Sequence, residues 1–341
     1  MDELTYREKV ILRCIIEEYI YSANPVGSRY ISKNSEIKLS PASVRNVMSD
    51  LEELNYLTHN HTSGGRVPTD KGYRYFVNEL MDTEPMIQQE KDILKTQINE
   101  ADNVKDEIYK EVSRILGRLS KEISIVSQPY ISGGIFERLE LVNLSSTKLL
   151  VIVSIKAGLV RTLLFDVETG IARDKIEKIT GILNEKLSGL SLTEIRKTFA
   201  ERIKDIRTDS KEILKVFIDS IDKIFHDEKE GMTLYIGGTT EILSQPEFGD
   251  TNNYKNIIEL TDEKGIVVHV LNNLPVDEKG ISISIGSENK DEKLKDYSII
   301  SSEYSVGDVK GRIALIGPKR MNYSKMVSML DFTSKIITEK F

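Results

Sequence analysis

Apolar residues recur at helical spacing from the first turns of the chain. Val10, Ile11, Cys14, Ile15, Ile16, Tyr19 and Ile20 fall one, three or four apart, the stripe of an amphipathic helix. Thr5 and Glu8 stand ahead of it at capping-box spacing, and Asn24-Pro25 stops it. Gly27 or Ser28 caps a short second helix through Arg29, Tyr30 and Ile31. After a polar turn over 34–39, Ser40 is placed as an N-cap with Pro41 at the first helical position, where a missing N–H costs nothing. The third helix turns Val44, Val47, Met48, Leu51 and Leu54 inward. Its other face near the N-terminus carries Ala42, Ser43, Arg45, Asn46 and Ser49.

The period then changes. Residues 56–58 predict a strand, His61-Thr62-Ser63-Gly64-Gly65 a turn, and Arg66-Val67-Pro68 a return strand. Thr69 caps a further helix over 70–80, with Tyr73, Phe76, Val77 and Leu80 inward. Three helices, a glycine-tipped ribbon and a helix, in that order, predict a winged helix-turn-helix. Residues 85–127 read as one long connector helix, with Leu94, Ile98, Ala101, Ile108, Val112, Ile115, Leu119 and Ile123 three or four apart and no steady heptad. Strands follow over 139–144, 148–155 and 159–166, the last two joined at Lys156-Ala157-Gly158. Helices are predicted over 172–187 and, in pieces, 192–225. Strands return at 234–236, 266–271, 281–285, 298–302 and 312–317, before a final helix over 323–337. The fold class is therefore α+β and multidomain.

The chain has 341 residues, 39% hydrophobic and 30% charged, which fits two or three folded domains. No apolar run approaches the roughly 20 residues of a membrane span, and the N-terminus lacks the pattern of a signal peptide. One cysteine excludes an internal disulfide and points to a cytoplasmic setting. A net charge of −7 changes the picture most. A chain this acidic does not hold DNA through its average surface, so any DNA binding must come from a local, defined reader.

That reader has suitable chemistry. Arg pairs with guanine edges and Asn with adenine edges in the major groove, so Arg45 and Asn46, flanked by the short Ser43 and Ser49, are candidate base contacts. Arg66, Thr62, Ser63 and His61 on the ribbon, with Lys71 and Arg74 on the next helix, are candidates for phosphate or minor-groove contacts. His59 and His61 share a strand face, but with no cysteine nearby a polar ribbon position is the better reading than a metal pair. Gly237-Gly238 lacks the flanking residues of a phosphate-binding loop and reads as a turn. Glu288, Asn289, Arg320 and Asn322, beside Gly286 and Gly317-Pro318, either line a pocket or lock a loop to a sheet; the lock is favoured. No catalytic triad, metal quartet or supported carboxylate pair is evident, so no enzyme activity and no cofactor are expected.

The strings EEYIYSANPVGSR, LSPASVRNVMSDLEELNYL, HTSGGRVPTDKGYRYFVNELM, IGSEN and ALIGPKRMNYSKM resemble the heat-inducible transcription repressors called HrcA, over nearly the whole chain. Gly64 stands where that family more often has Ala, and Asn60 where Pro is common. The resemblance implies a winged helix-turn-helix over 1–82, a connector over 83–127, a GAF-like α/β domain over 128–191 and 275–341, and an inserted dimerisation domain over 192–274. It implies a homodimer that binds double-stranded DNA at an inverted repeat of the CIRCE type, represses chaperone operons, and depends on the GroE chaperonin for its active form. A ligand-sensing regulator built on the GAF-like domain is the competing expectation.

Overall fold

The computed structural model describes residues 3–59, 64–101, 105–167, 172–206, 211–225, 233–249 and 280–341, with isolated positions between 255 and 277. It is a mixed α/β chain that divides into two compact units. The first comprises Met1–Val126, Tyr235–Ser302 and Ile313–Ser334; the second comprises Ser127–Leu234, Glu303–Arg312 and Lys335–Phe341.

The first unit opens with a head of three helices, α1 (Tyr6–Ser22), α2 (Ser28–Asn34) and α3 (Pro41–Glu53). Thr5 closes the expected capping box with Glu8, and Ala23 ends α1 in the left-handed region at φ 56°. Ser40 caps α3 by accepting the N–H of Ser43 at 3.1 Å. Strands β1 (Leu57–His59) and β2 (Arg66–Pro68) pair antiparallel, and Val26 adds a bridge to Arg66 on the far side of β2. Helix α4 (Asp70–Tyr75), capped by Thr69, runs on into a π turn over Phe76–Leu80. The head's core is Ile11, Leu12, Ile15, Ile16, Ile31, Val44, Met48 and Leu51, all buried.

The expected single connector helix is two helices and a strand: α5 (Gln88–Glu100), α6 (Lys105–Ser120) and β3 (Ile123–Ser127). Lys121 at φ 61° breaks the helix, and the β-branched run after it pairs as a strand. Ile123, the last residue of the predicted apolar stripe, therefore belongs to a sheet. That sheet has the order β7-β3-β10-β9-β8, with β7 Leu234–Gly237, β8 Ile281–Ile285, β9 Tyr297–Val306 and β10 Val309–Pro318. Every residue of β3 is buried, as are Ile313 to Ile316 of β10, so the central strands read as apolar runs. Gly117 of α6 meets Gly237-Gly238 so closely that a Cβ on Gly117 would lie 2.3 Å from the Gly238 nitrogen. The glycine pair serves helix–strand contact, and helix backbone occupies the space a phosphate would need. Within the strand expected over 266–271 the described residues 267, 268 and 271 are helical, as is 265 before them, with Val267, Val268 and Leu271 buried at helical spacing. The last helix, α11 (Tyr323–Lys340), shares a hydrogen bond between Tyr323 and Ser298 of β9.

In the second unit, β4 (Phe136–Ser145), β5 (Lys148–Ile155) and β6 (Val160–Asp166) form an antiparallel sheet. Leu149, Val151, Val153 and Ile155 alternate onto its buried face. Helix α7 (Arg173–Leu187) packs against β4, and Asn184 bonds both the N–H and the C=O of Leu139. Helices α8 (Leu192–Ile203), α9 (Lys211–Asp219) and α10 (Ile221–Phe225) gather around Phe199, Phe217, Phe225 and Phe136. The boundary expected between 191 and 192 falls inside this unit, between α7 and α8, and the unit begins at Ser127.

Candidate nucleic-acid interface

Helix α3 separates its two faces as the sequence pattern requires. Val44, Met48 and Leu51 are buried against α1 and α2, while Ser43, Arg45, Asn46 and Ser49 are exposed. Among the described residues, Arg45 and Asn46 take no part in an ion pair or side-chain hydrogen bond. Arg29 and Lys33 on α2 are also exposed, and neither was singled out from the sequence, where a seven-residue helix offers too little periodicity to assign a face.

The ribbon is fixed to α3 by a carboxylate. Glu52, in the last turn of α3, accepts a hydrogen bond from His59 of β1 and pairs with Arg66 of β2, Nη2 to Oε2 2.8 Å. The His59 contact and the Arg66 charge hold the Glu52 carboxyl below its ordinary range. One side chain thus grips both strands. Glu52 stands seven residues before His59 and fourteen before Arg66, and nothing in that spacing shows that the ribbon folds back onto it. Gly65 permits the ribbon's other contact: a Cβ there would lie 2.6 Å from the carbonyl carbon of Pro25.

The remaining cations expected to touch DNA are engaged elsewhere. Arg66 is mostly buried and belongs to the Glu52 pair. Lys71 donates to the C=O of Leu54 at 2.9 Å and lies 4.3 Å over the Tyr56 ring, closing the C-terminus of α3. Arg74 bonds Glu288 through Nε at 2.7 Å and donates to the C=O of Ile283 at 2.7 Å. The three residues are cations at helical or strand positions, which is all a sequence shows; their partners are distant in the chain. His61, Thr62 and Ser63, like Asn60, lie outside the described residues.

The polar cluster expected near the sheet locks loops. Asn289 is buried and bonds Ser284, the C=O of Leu294 and the C=O of Tyr297. Arg320 pairs with Glu247 at 2.5 Å, and Asn322 caps α11 by accepting the N–H of Lys325. Cys14 is half-buried on α1, and burial pushes its thiol up, which disfavours the thiolate of a nucleophile. Among the described residues there is no group of three or more metal-ligating side chains, and no helix is long and apolar enough to cross a membrane.

The family described as HrcA protein C terminal domain matches residues 106–327. The chain belongs to the HrcA family. Among HrcA relatives, the heat-inducible transcription repressor HrcA of Chlorobium chlorochromatii is 36% identical over 332 residues, covering 97% of this chain and 95% of its own. That of Chlorobaculum tepidum is 38% identical over 347 residues, covering 99% and 97%. A crystal structure described as that of a hypothetical protein, 22% identical, covers 99% of both chains with a TM-score of 0.58, a likeness of fold.

The clamp gives a test within the head. With this head as a DNA reader, Arg66→Ala should weaken DNA binding by about 1–2 kcal/mol through a loosened ribbon while leaving the salt slope unchanged, because a neutralised phosphate contact would lower that slope by about one. Anisotropy titrations between low and moderate salt read both quantities; a reduced slope would return Arg66 to the phosphate backbone.

Proposed function

We propose that this chain is a transcriptional repressor of heat-shock operons, with the head as a winged helix-turn-helix whose α3 enters the major groove. The observation that carries the reading is the exposed Arg45–Asn46 pair, unengaged among the described residues, on a capped helix whose opposite face is core. The family supports it, since its relatives are named heat-inducible transcription repressors. Arg45 and Asn46 read base edges, Ser43 and Ser49 let the helix approach closely, and Arg29 and Lys33 reach phosphates. His61, Thr62 and Ser63, which lie between the two ribbon strands in the sequence, extend the contact to the minor groove.

The operator is an inverted repeat of the CIRCE type, read by a homodimer whose two-fold axis matches that of the DNA. Self-association is supported by the exposed apolar side chains of Val142, Leu144, Val160 and Leu164 on the β4-β5-β6 sheet of the second unit. The GAF-like part is residues 128–191 and 275–341, which carry β4 to β6 and β8 to β10. Its Glu288, Asn289, Arg320 and Asn322 are all engaged by protein groups, so nothing favours the ligand-sensing alternative. Dependence on the GroE chaperonin rests on the resemblance.

A gel shift of the full chain on an inverted-repeat duplex from upstream of a chaperonin operon, with a scrambled duplex beside it and salt varied, tests this. Selective retardation that weakens with salt is the expected result. Equal binding to both duplexes would remove the operator reading. Equal occupancy with and without chaperonin would remove the chaperonin dependence alone.

A further inference from the structure

The reading face of α3 carries a third kind of group beside its cation and its amide. Ala42, Arg45, Asn46 and Ser49 fall three or four apart around the helix, so they share one stripe. At about 100° per residue, Ala42 stands near the middle of that stripe, with Arg45 about 60° to one side and Asn46 about 40° to the other. The buried Val44 and Leu51 lie across the helix from it. Ala42 is itself exposed, in the first turn after the Ser40 cap. The other exposed apolar residue of α3 is Pro41, about 100° away and off the stripe.

The neighbours of Ala42 leave the position to it. The Ser43 hydroxyl is drawn into the cap, 3.0 Å from that of Ser40. Asp50 and Glu53, exposed on later turns, carry charge that phosphates repel, so the N-terminal turns are the part of α3 suited to the groove floor. Arg45 and Asn46 are long enough to reach base edges past Ala42, whose Cβ meets only a group that projects from a base.

In the major groove guanine shows two acceptors, adenine a donor and an acceptor, and thymine a 5-methyl group. The first suits Arg45 and the second Asn46. A methyl gains by leaving water only against an apolar surface, and the alanine Cβ is a short one with no polar group to desolvate. A larger apolar side chain at this position would hold Arg45 and Asn46 off the base edges. We propose that Ala42 reads the 5-methyl group of one thymine in each operator half-site, as a specificity-determining residue between Arg45 and Asn46. This rests on the operator reading above.

Thymine and uracil offer the same hydrogen-bonding groups and differ by that methyl alone. The test therefore uses the full chain and operator duplexes in which the thymines of one half-site are replaced by uracil one at a time, each in competition with the unmodified duplex. Wild type should lose about fourfold in affinity at one thymine, the worth of one buried methyl. Ala42→Gly should bind the thymine and uracil forms of that duplex within about 1.5-fold of each other, and respond as wild type does at the remaining thymines. Ala42→Ser, which sets a hydroxyl against the methyl, should cut the preference below about twofold and stands in if the glycine variant melts early. A uracil penalty that is the same in wild type and in the variants gives the methyl to another side chain and overturns the assignment, as does a wild type indifferent to uracil throughout. A wild type that binds the intact operator and a scrambled duplex alike overturns the operator reading, and the methyl contact with it.

Discussion

Glu122→Gln should raise the stability of this protein by about 3 kcal/mol at pH 7 and remove most of its pH dependence between pH 5 and 8. Glu122 is 3% exposed, in the turn between α6 and β3. Its Oε2 has no hydrogen-bond partner among the described residues and packs against Gly317, where a Cβ would lie 2.0 Å from it. Burial is the main cause that pushes its carboxyl from the ordinary 4.5 to about 8; Gln245 and Arg320 pull the other way and lose. The folded state therefore keeps a proton that the unfolded chain releases once pH passes about 4.5. The stability tied to this group is complete below that value and is lost as pH rises to about 8. Glutamine has the same shape and cannot ionise. The protonated acid places one unpaired donor at that position and the amide two, so the extra N–H offsets a small part of the gain. Urea melts of both proteins from pH 5 to 9 measure the effect. Parallel stability curves would show that Glu122 is ionised and solvated in the folded chain.

The same group bears on heat response. Folded proteins are stable by only about 5–15 kcal/mol, so a buried acid that costs about 3 kcal/mol at neutral pH removes a large share of the margin. Under the repressor reading, the population able to bind DNA falls steeply once that margin is spent. Operator binding by Glu122→Gln should survive to a higher temperature than that of wild type at pH 7, with the two converging near pH 5.

What was legible in the sequence was whatever local chemistry decides. The Thr5–Glu8 box, the Ser40-Pro41 start of α3 and the Thr69 start of α4 all formed, because a cap is satisfied within three residues. The Val44–Met48–Leu51 stripe was buried as its spacing required, which left Arg45 and Asn46 outside. Features set by distant partners were not legible. Ile123 continued a helical period, yet pairs with Ile316, almost two hundred positions away. Val267, Val268 and Leu271 looked like strand and lie in a helix, since a short apolar run has no period of its own. Lys71 and Arg74 had the charge of phosphate ligands, and only the fold shows that one closes α3 and the other holds Glu288.

Under the proposed reading of an inverted-repeat operator by a homodimer, Arg45→Ala and Asn46→Ala should each weaken operator binding by about 2–6 kcal/mol per dimer, because a bidentate contact to a base edge contributes about 1–3 kcal/mol and a two-fold complex makes it twice. That corresponds to roughly thirtyfold to twenty-thousandfold in affinity, with fold stability unchanged, since both side chains are exposed and unengaged among the described residues. The loss should be specific to the operator. On a scrambled duplex Asn46→Ala should bind as wild type does, and Arg45→Ala should lose only the small share of one exposed cation. The acidic chain makes the contrast sharp: with a net charge of −7, little background affinity masks the loss of a base contact. Competition titrations on operators substituted one base pair at a time should then show each variant indifferent at one symmetric pair of positions and discriminating at the rest. A uniform loss across all sequences would instead place Arg45 and Asn46 on the phosphate backbone and leave the reading of bases to the ribbon.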